Sequence, residues 1–145
     1  METVHLTLGI IVLATNAIAG VWGGVAWVRG RPSVGFWYAL RVAQAAVVAQ
    51  VLAGTILLLL GNQAPDDLHY VYGVLPLLVT LLAEGARAGA AERELAGLDF
   101  DSLPKDRQRL IALGIFRRET GIMAVSALVV LFLALRAAGT SGELF

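Results

Sequence analysis

The chain has 145 residues, of which 58% are hydrophobic and 15% are charged, against about 45–50% and about 25% in soluble domains. The formal net charge is zero, so the composition gives no electrostatic basis for a nucleic-acid partner. The absence of cysteine excludes a disulfide framework, thiolate metal sites and cysteine nucleophiles. Hydrophobic residues fall in long runs separated by short polar stretches, which indicates a membrane protein.

The hydrophobic runs predict four membrane spans within a single domain. Each has about 20–25 residues, enough to cross a hydrocarbon core of about 30 Å. No basic region precedes the first run, so we expect it to be a retained span and not a cleaved signal peptide. The fold class predicted is all-α, an integral membrane four-helix up-down bundle. The spans cover about residues 4–28, 36–60, 68–88 and 115–136.

The polar segment 89–109 is predicted to be a cytoplasmic connector between the third and fourth spans. Its alanine-rich start favours an extension of the third helix. The fourth helix is expected to begin near Asp106, with Ser102 as a capping residue. Alternating charges along the connector are typical of a solvated surface with ion pairs, and a docking surface for a cytosolic partner is the alternative.

The distribution of basic residues predicts the orientation in the membrane. Ten of the eleven Lys and Arg residues lie in or beside the first and third connections, and only Arg136 lies on the other side. The positive-inside rule places both connections in the cytoplasm and both termini outside. A bacterial inner membrane is the expected location.

The third span carries polar and helix-breaking residues on one helical face. His69, Tyr72, Gly73, Pro76 and Thr80 share this face, which we expect to look into the bundle. Pro76 removes a backbone hydrogen bond and should kink the helix beside them.

The two histidines, His5 and His69, are both predicted near the outer interface at similar depth. Imidazoles from two helices of a bundle can hold a b-type haem or a metal ion, with Glu2, Asp66 or Asp67 nearby. Structural roles are the first interpretation, and the haem or metal site is the alternative. For His69 the structural roles would be a hydrogen bond to the second connector or capping of the third helix.

A second group of candidate residues is charged and lies near the inner interface. Glu84 and Arg87 are spaced to pair on one helix, and Glu119 is expected to pair with Arg41 or Arg87. A structural ion-pair network is the first interpretation, and a proton path or a site for anionic lipid head groups is the alternative. The group comprises Arg41, Glu84, Arg87, Arg117, Arg118 and Glu119.

Polar residues at mid-membrane depth predict contacts between helices. Asn16, Gly20 and Gly24 share a face, and the Gly20-x-x-x-Gly24 spacing favours close helix packing, as does Gly54. A quinone or lipid pocket lined by Gln44, Gln50 and Tyr72 is an alternative to packing alone. The candidate polar contacts are Asn16, Gln44, Gln50, Thr55, Tyr72 and Thr80.

The motif Leu68-His69-Tyr70-Val71-Tyr72-Gly73, together with Glu84 and the pair Arg118-Glu119, resembles a family of small bacterial four-span membrane proteins. The resemblance implies the topology and no particular activity. The several histidines of larger b-type cytochromes are missing from this sequence.

No set of nucleophile, base and acid is evident, and there is no phosphate-binding loop or metal-hydrolase motif, so we do not expect an enzyme. The leading hypothesis is a non-enzymatic small membrane subunit that packs against a membrane-protein partner or a second copy within the lipid bilayer. The alternatives are a b-haem or metal-binding redox protein using His5 and His69, and a small carrier of lipid, quinone or ions.

Overall fold

The computed structural model describes residues 2–64 and 66–141, without the side chain of Glu2. The described residues form helices and no strand. The four long helices are α1 (Glu2–Arg29), α2 (Val34–Leu59), α3 (Leu68–Leu95) and α4 (Lys105–Gly139), and a 3-10 turn (Phe100–Ser102) precedes α4. The predicted all-α four-helix bundle is confirmed.

All four helices are long and apolar enough to cross a membrane. Their outward faces are largely aliphatic, with Leu59 81%, Val28 77% and Leu82 73% exposed. In water such surfaces would be unfavourable, whereas in a bilayer they contact acyl chains. The structure therefore has the form of a multi-pass membrane protein.

The helices run alternately up and down, and α1 and α4 are central to the packing. α1 packs against both α2 and α4, α3 packs mainly on α4, and α2 and α3 share few contacts. The α1–α2 and α3–α4 connections lie at one end of the bundle, called here the arginine end. His5 and His69 lie together at the opposite end, called here the histidine end.

The larger group of buried core residues lies toward the arginine end. Phe36 and Met123 are fully buried there, together with small residues that let the helix backbones come close. A Cβ added to Gly23 would be 2.9 Å from the Cβ of Ala124 and would also clash with the Phe36 ring. Gly20 permits a similar approach of Leu128, but Gly24 has nothing within 4 Å of such a Cβ. The close packing therefore uses Gly20 and Gly23, and the expected Gly20-x-x-x-Gly24 contact is wrong at Gly24.

The helix ends refine the predicted connector. α3 continues to Leu95, so much of the segment 89–109 is helical, and α4 begins at Lys105. Ser102 does not cap α4: its hydroxyl donates to the Asp99 carbonyl within the 3-10 turn, and Pro104 occupies the N-cap position. Pro104 has the extended backbone that an N-cap residue needs and has no N–H to leave unsatisfied.

Candidate functional site

A cleft of about 380 Å³ opens at the histidine end of the bundle. Residues of all four helices line it, together with the connection between α2 and α3. It exists because α2 and α3 share few contacts, so that α1 and α4 form its back wall. Val12 and Val47 line its deep end and are also buried in the core beside Ala46 and Val130, and Ala134 packs against this group.

The wall of the cleft is mainly aliphatic, with a few polar groups. Among the described residues, none that lines it is Asp, Glu, Lys or Arg. Such a site suits the apolar body of a ligand and fixes it through a small number of hydrogen bonds. The polar lining residues are His5, Gln50, Thr55, Asn62, Gln63, His69, Tyr70, Tyr72 and Ser141.

The position of His5 is set by two residues of α2 that lie one turn apart. A Cβ added to Gly54 would be 3.1 Å from Cε1 of the His5 ring, so a larger residue there would push the imidazole aside. Gln50 Nε2 lies 3.3 Å from His5 Nε2. Because an amide nitrogen only donates, His5 Nε2 accepts this hydrogen bond and its ring proton is on Nδ1.

His69 is oriented by the backbone of α4. Its Nδ1 lies 3.0 Å from the Ala137 carbonyl oxygen, so Nδ1 carries the proton and donates. In the neutral imidazole Nε2 is then an acceptor, which is the form that also binds metals. The His69 side chain therefore bonds α4 and not the second connector, which only the His69 backbone N–H contacts, at the Asp66 carbonyl. Capping at the start of α3 comes instead from Asp66 Oδ1, which accepts from the Leu68 N–H.

The two histidine rings meet across α1 and α3, with centroids 6.1 Å apart at an interplanar angle of 62°. The sequence placed them at similar depth, and the structure brings them into contact. No group of three or more His, Asp or Glu that could hold a metal ion occurs among residues 2–64 and 66–141. A metal held here would therefore take at most two of these side chains, as a haem iron with two axial protein ligands does.

Two tyrosines lie at the rim of the cleft. The Tyr70 hydroxyl oxygen accepts from the Ala64 N–H at 2.9 Å, which ties the α2–α3 connection to α3. The guanidinium carbon of Arg136 lies 5.6 Å from the Tyr72 ring centroid, a cation–π contact. Arg136, the one basic residue remote from the arginine end, is thereby held beside the cleft.

A separate polar network joins α2 and α3 toward the arginine end. Glu84 Oε1 accepts from Arg41 Nη1 at 2.5 Å and from Gln44 Nε2 at 2.8 Å. Gln44 Oε1 in turn accepts from Arg41 Nη1 at 2.6 Å. The predicted placement of Gln44 in the same pocket as Gln50 and Tyr72 is therefore wrong, since Gln44 belongs to this network and does not line the cleft.

The network continues through Arg87 to α4. Glu84 Oε2 accepts from Arg87 Nη2 at 2.9 Å, and Arg87 Nη1 lies 3.6 Å from Glu119 Oε2. The Arg87 guanidinium also lies 5.5 Å from the Trp37 ring centroid. Two carboxylates and two arginines thus balance one another across three helices, as a structural ion-pair network would.

The remaining candidate residues are dispersed. Arg118 pairs with Glu94 at 2.7 Å, and both side chains are about half exposed. Asn16 is buried, but its amide donates to the Val12 carbonyl of its own helix and not to a neighbouring helix. Thr80 likewise donates to Pro76 within α3, and Thr55 donates to Val51 within α2.

Sequence reasoning missed the residues that position the two histidines. Gly54 was predicted to allow close helix packing, but the neighbour that it admits is the His5 ring. Ala137 contributes only a backbone carbonyl, for which a sequence carries no signal. The spacing of Gln50 and Gly54 on one helical face was the available indication that a polar ring would lie against them.

No protein-family model, curated protein or solved structure matches the chain. Similarity therefore assigns no activity, substrate or partner. The resemblance based on residues 68–73 stays a prediction, and the functional proposal rests on the cleft and the network described above.

Proposed function

We propose that this chain is a non-enzymatic multi-pass membrane protein that binds one amphipathic small molecule in the cleft at the histidine end. The observation that carries the proposal is the cleft itself, whose volume of about 380 Å³ lies within the range of about 300–1,000 Å³ typical of ligand pockets. Its aliphatic wall suits a hydrocarbon body, and the cluster of His5, Gln50 and His69 suits a polar head.

The bundle also offers a route for such a ligand. α2 and α3 share few contacts, while Arg41 and Glu84 bridge them toward the arginine end. The ion-pair network would hold the two helices together at that end, and the cleft between them would remain open at the other. A lipophilic molecule could then pass from the bilayer into the cleft without crossing water.

This proposal favours the carrier-type hypothesis, with a lipid or quinone as the cargo class, and it is compatible with the leading hypothesis. A small subunit of a larger membrane complex could bind its ligand in this cleft while its lipid-facing surface packs against a partner. Purification from native membranes with a stable companion protein would support the subunit role.

Ligand binding is tested by thermal unfolding of the purified protein in a panel of quinones, long-chain alcohols and phospholipids. A ligand that binds only the folded state raises the unfolding midpoint as its concentration increases. We expect stabilisation by at least one lipophilic compound in the wild type and none in Gly54→Leu, whose added side chain would enter the space of His5. Equal shifts in both proteins would overturn the proposal.

A second candidate function is haem binding, favoured by the separation of the two imidazoles. His5 and His69 would be the residues that hold the iron, and the haem would supply one-electron redox chemistry. The two ring centroids lie 6.1 Å apart. A visible spectrum after expression with ample haem should show a Soret band that His5→Ala and His69→Ala each abolish. A colourless wild-type protein would exclude this function.

We further propose that both termini lie outside, in a bacterial inner membrane. The support is the sequence asymmetry, with ten of eleven Lys and Arg residues in or beside the two connections at the arginine end. In this orientation the cleft would open toward the outer leaflet.

A further inference from the structure

The polar groups at the histidine end include an acceptor to which no described residue donates. The Nδ1–H of His69 is used by the Ala137 carbonyl, and one amide N–H of Gln50 is used by His5. The Gln50 Oε1 atom is buried and accepts no hydrogen bond from the described residues. In the neutral ring, Nε2 of His69 is a further acceptor.

Two of the hydroxyl groups that line the cleft donate to backbone carbonyls of their own helices or turns and not into the cleft. Thr55 donates its hydroxyl proton to the Val51 carbonyl, and Ser141 donates to the Ala138 carbonyl. A buried acceptor that stays unsatisfied costs about 1–3 kcal/mol. A ligand that donates a hydrogen bond to Gln50 Oε1 would remove that cost, and a ligand that only accepts would not.

We infer that the cleft selects a neutral lipophilic alcohol or phenol, with its hydroxyl group donating to Gln50 Oε1 or to His69 Nε2. This inference rests on the proposed ligand-binding function and names the class of ligand. A hydroxyl group also accepts, so it can use the remaining amide N–H of Gln50. A site built to hydrogen-bond a hydroxyl group discriminates strongly against analogues that lack it.

The same groups disfavour an anionic head. No lining residue among those described carries a positive charge, and a buried unpaired carboxylate is expensive. Arg136 does not line the cleft, and its guanidinium lies over the Tyr72 ring at the rim. A carboxylate reaching Arg136 would have to leave the acceptors deep in the cleft.

The inference is tested with three radiolabelled probes that share one hydrocarbon body: farnesol, farnesyl methyl ether and farnesoate. Equilibrium binding is measured at pH 8 to the full chain in nanodiscs of neutral lipid, with Gly54→Leu nanodiscs as the blank. We expect farnesol to bind at least roughly tenfold more tightly than the ether or the acid, as a gained buried hydrogen bond implies. In Gln50→Leu, the advantage of farnesol over the ether should fall to about twofold or less.

The outcomes separate the two proposals. If no probe binds the wild type above the blank, ligand binding in the cleft is refuted. If all three bind equally, or farnesoate binds best, the cleft binds ligands but the hydroxyl preference is wrong. The wild-type panel is decisive by itself, so the inference remains testable even if Gln50→Leu fails to fold.

Discussion

The His5 ring occupies the space that a side chain at position 54 would fill, with Cε1 only 3.1 Å from a Cβ built on Gly54. Gly54→Ala should therefore displace the imidazole by a few tenths of an ångström, and Gly54→Leu should displace it entirely. We expect ligand affinity to fall a few-fold with alanine and to be lost with leucine.

The matched control for this series is Gly85 of α3, which has nothing within 4 Å of an added Cβ. Gly85→Leu should leave binding unchanged, because the new side chain would face away from the bundle. The measurement is equilibrium binding, to each Gly54 variant and to Gly85→Leu, of the ligand that stabilises the wild type most. Retained affinity in Gly54→Leu would show that the ligand does not bind beside His5.

The contact of Gly23 with Phe36 and Ala124 predicts a sharp difference between neighbouring glycines. Gly23→Ala should lower the free energy of unfolding by about 1–3 kcal/mol, because overpacking forces the core apart. Gly24→Ala should be neutral or stabilise by about 0.5–1 kcal/mol, since alanine fits an open helical position better than glycine. The free energy of unfolding of each variant is measured in mixed micelles. Equal effects would mean that α1 and α2 do not meet at Gly23.

Glu84 links both arginines of the network, and its replacement should weaken the α2–α3 contact. Glu84→Gln keeps the shape but removes the charge that balances Arg41 and Arg87, and we expect a loss of about 1–3 kcal/mol in stability. Glu94→Gln is the control on the same helix. Its exposed pair with Arg118 should contribute less than about 1 kcal/mol. A larger loss for Glu94 than for Glu84 would contradict the proposed structural role of the network.

Thr120 is 2% exposed, and its hydroxyl oxygen has no hydrogen-bond partner among the described residues. Thr120→Val has nearly the same shape and removes the buried polar group, so we expect stability to rise by about 1 kcal/mol. Thr80→Val, which removes a hydroxyl group bonded to Pro76, should not stabilise. Destabilisation by Thr120→Val would mean that the hydroxyl group is satisfied in the membrane.

The cysteine-free sequence permits a direct test of orientation. Gln63→Cys places a single thiol in the α2–α3 connection, and Ser102→Cys places one in the α3–α4 connection. In intact spheroplasts a membrane-impermeant maleimide should label Gln63→Cys alone, and after lysis it should label both. Labelling of Ser102→Cys in intact spheroplasts would reverse the proposed topology.

Much of the fold could be predicted because hydrophobicity and length alone decide which segments are compatible with a bilayer. The ion pair between Glu84 and Arg87 could also be predicted, because it depends only on the spacing of two residues within one helix. Both predictions concern a single segment, for which the sequence contains all the needed information.

Properties that depend on two segments were harder to predict. Gln44 and Gln50 share one helix, yet six residues of rise separate them by about 9 Å, enough to place one in the network and the other in the cleft. Whether Gly23 or Gly24 allows a close helix contact depends on which residues lie opposite each of them. The hydrogen bond of the His69 side chain depends on a backbone carbonyl of α4. None of these partners can be identified from local periodicity.

The packing of α3 almost entirely on α4 has a consequence for biogenesis. When the ribosome has delivered the first three helices, α1 and α2 can already form a hairpin, but α3 has no large surface to join. Only insertion of the last and longest helix, of 35 residues, gives α3 its neighbour and closes the back of the cleft. A chain truncated before α4 would therefore leave α3 exposed to membrane quality-control proteases.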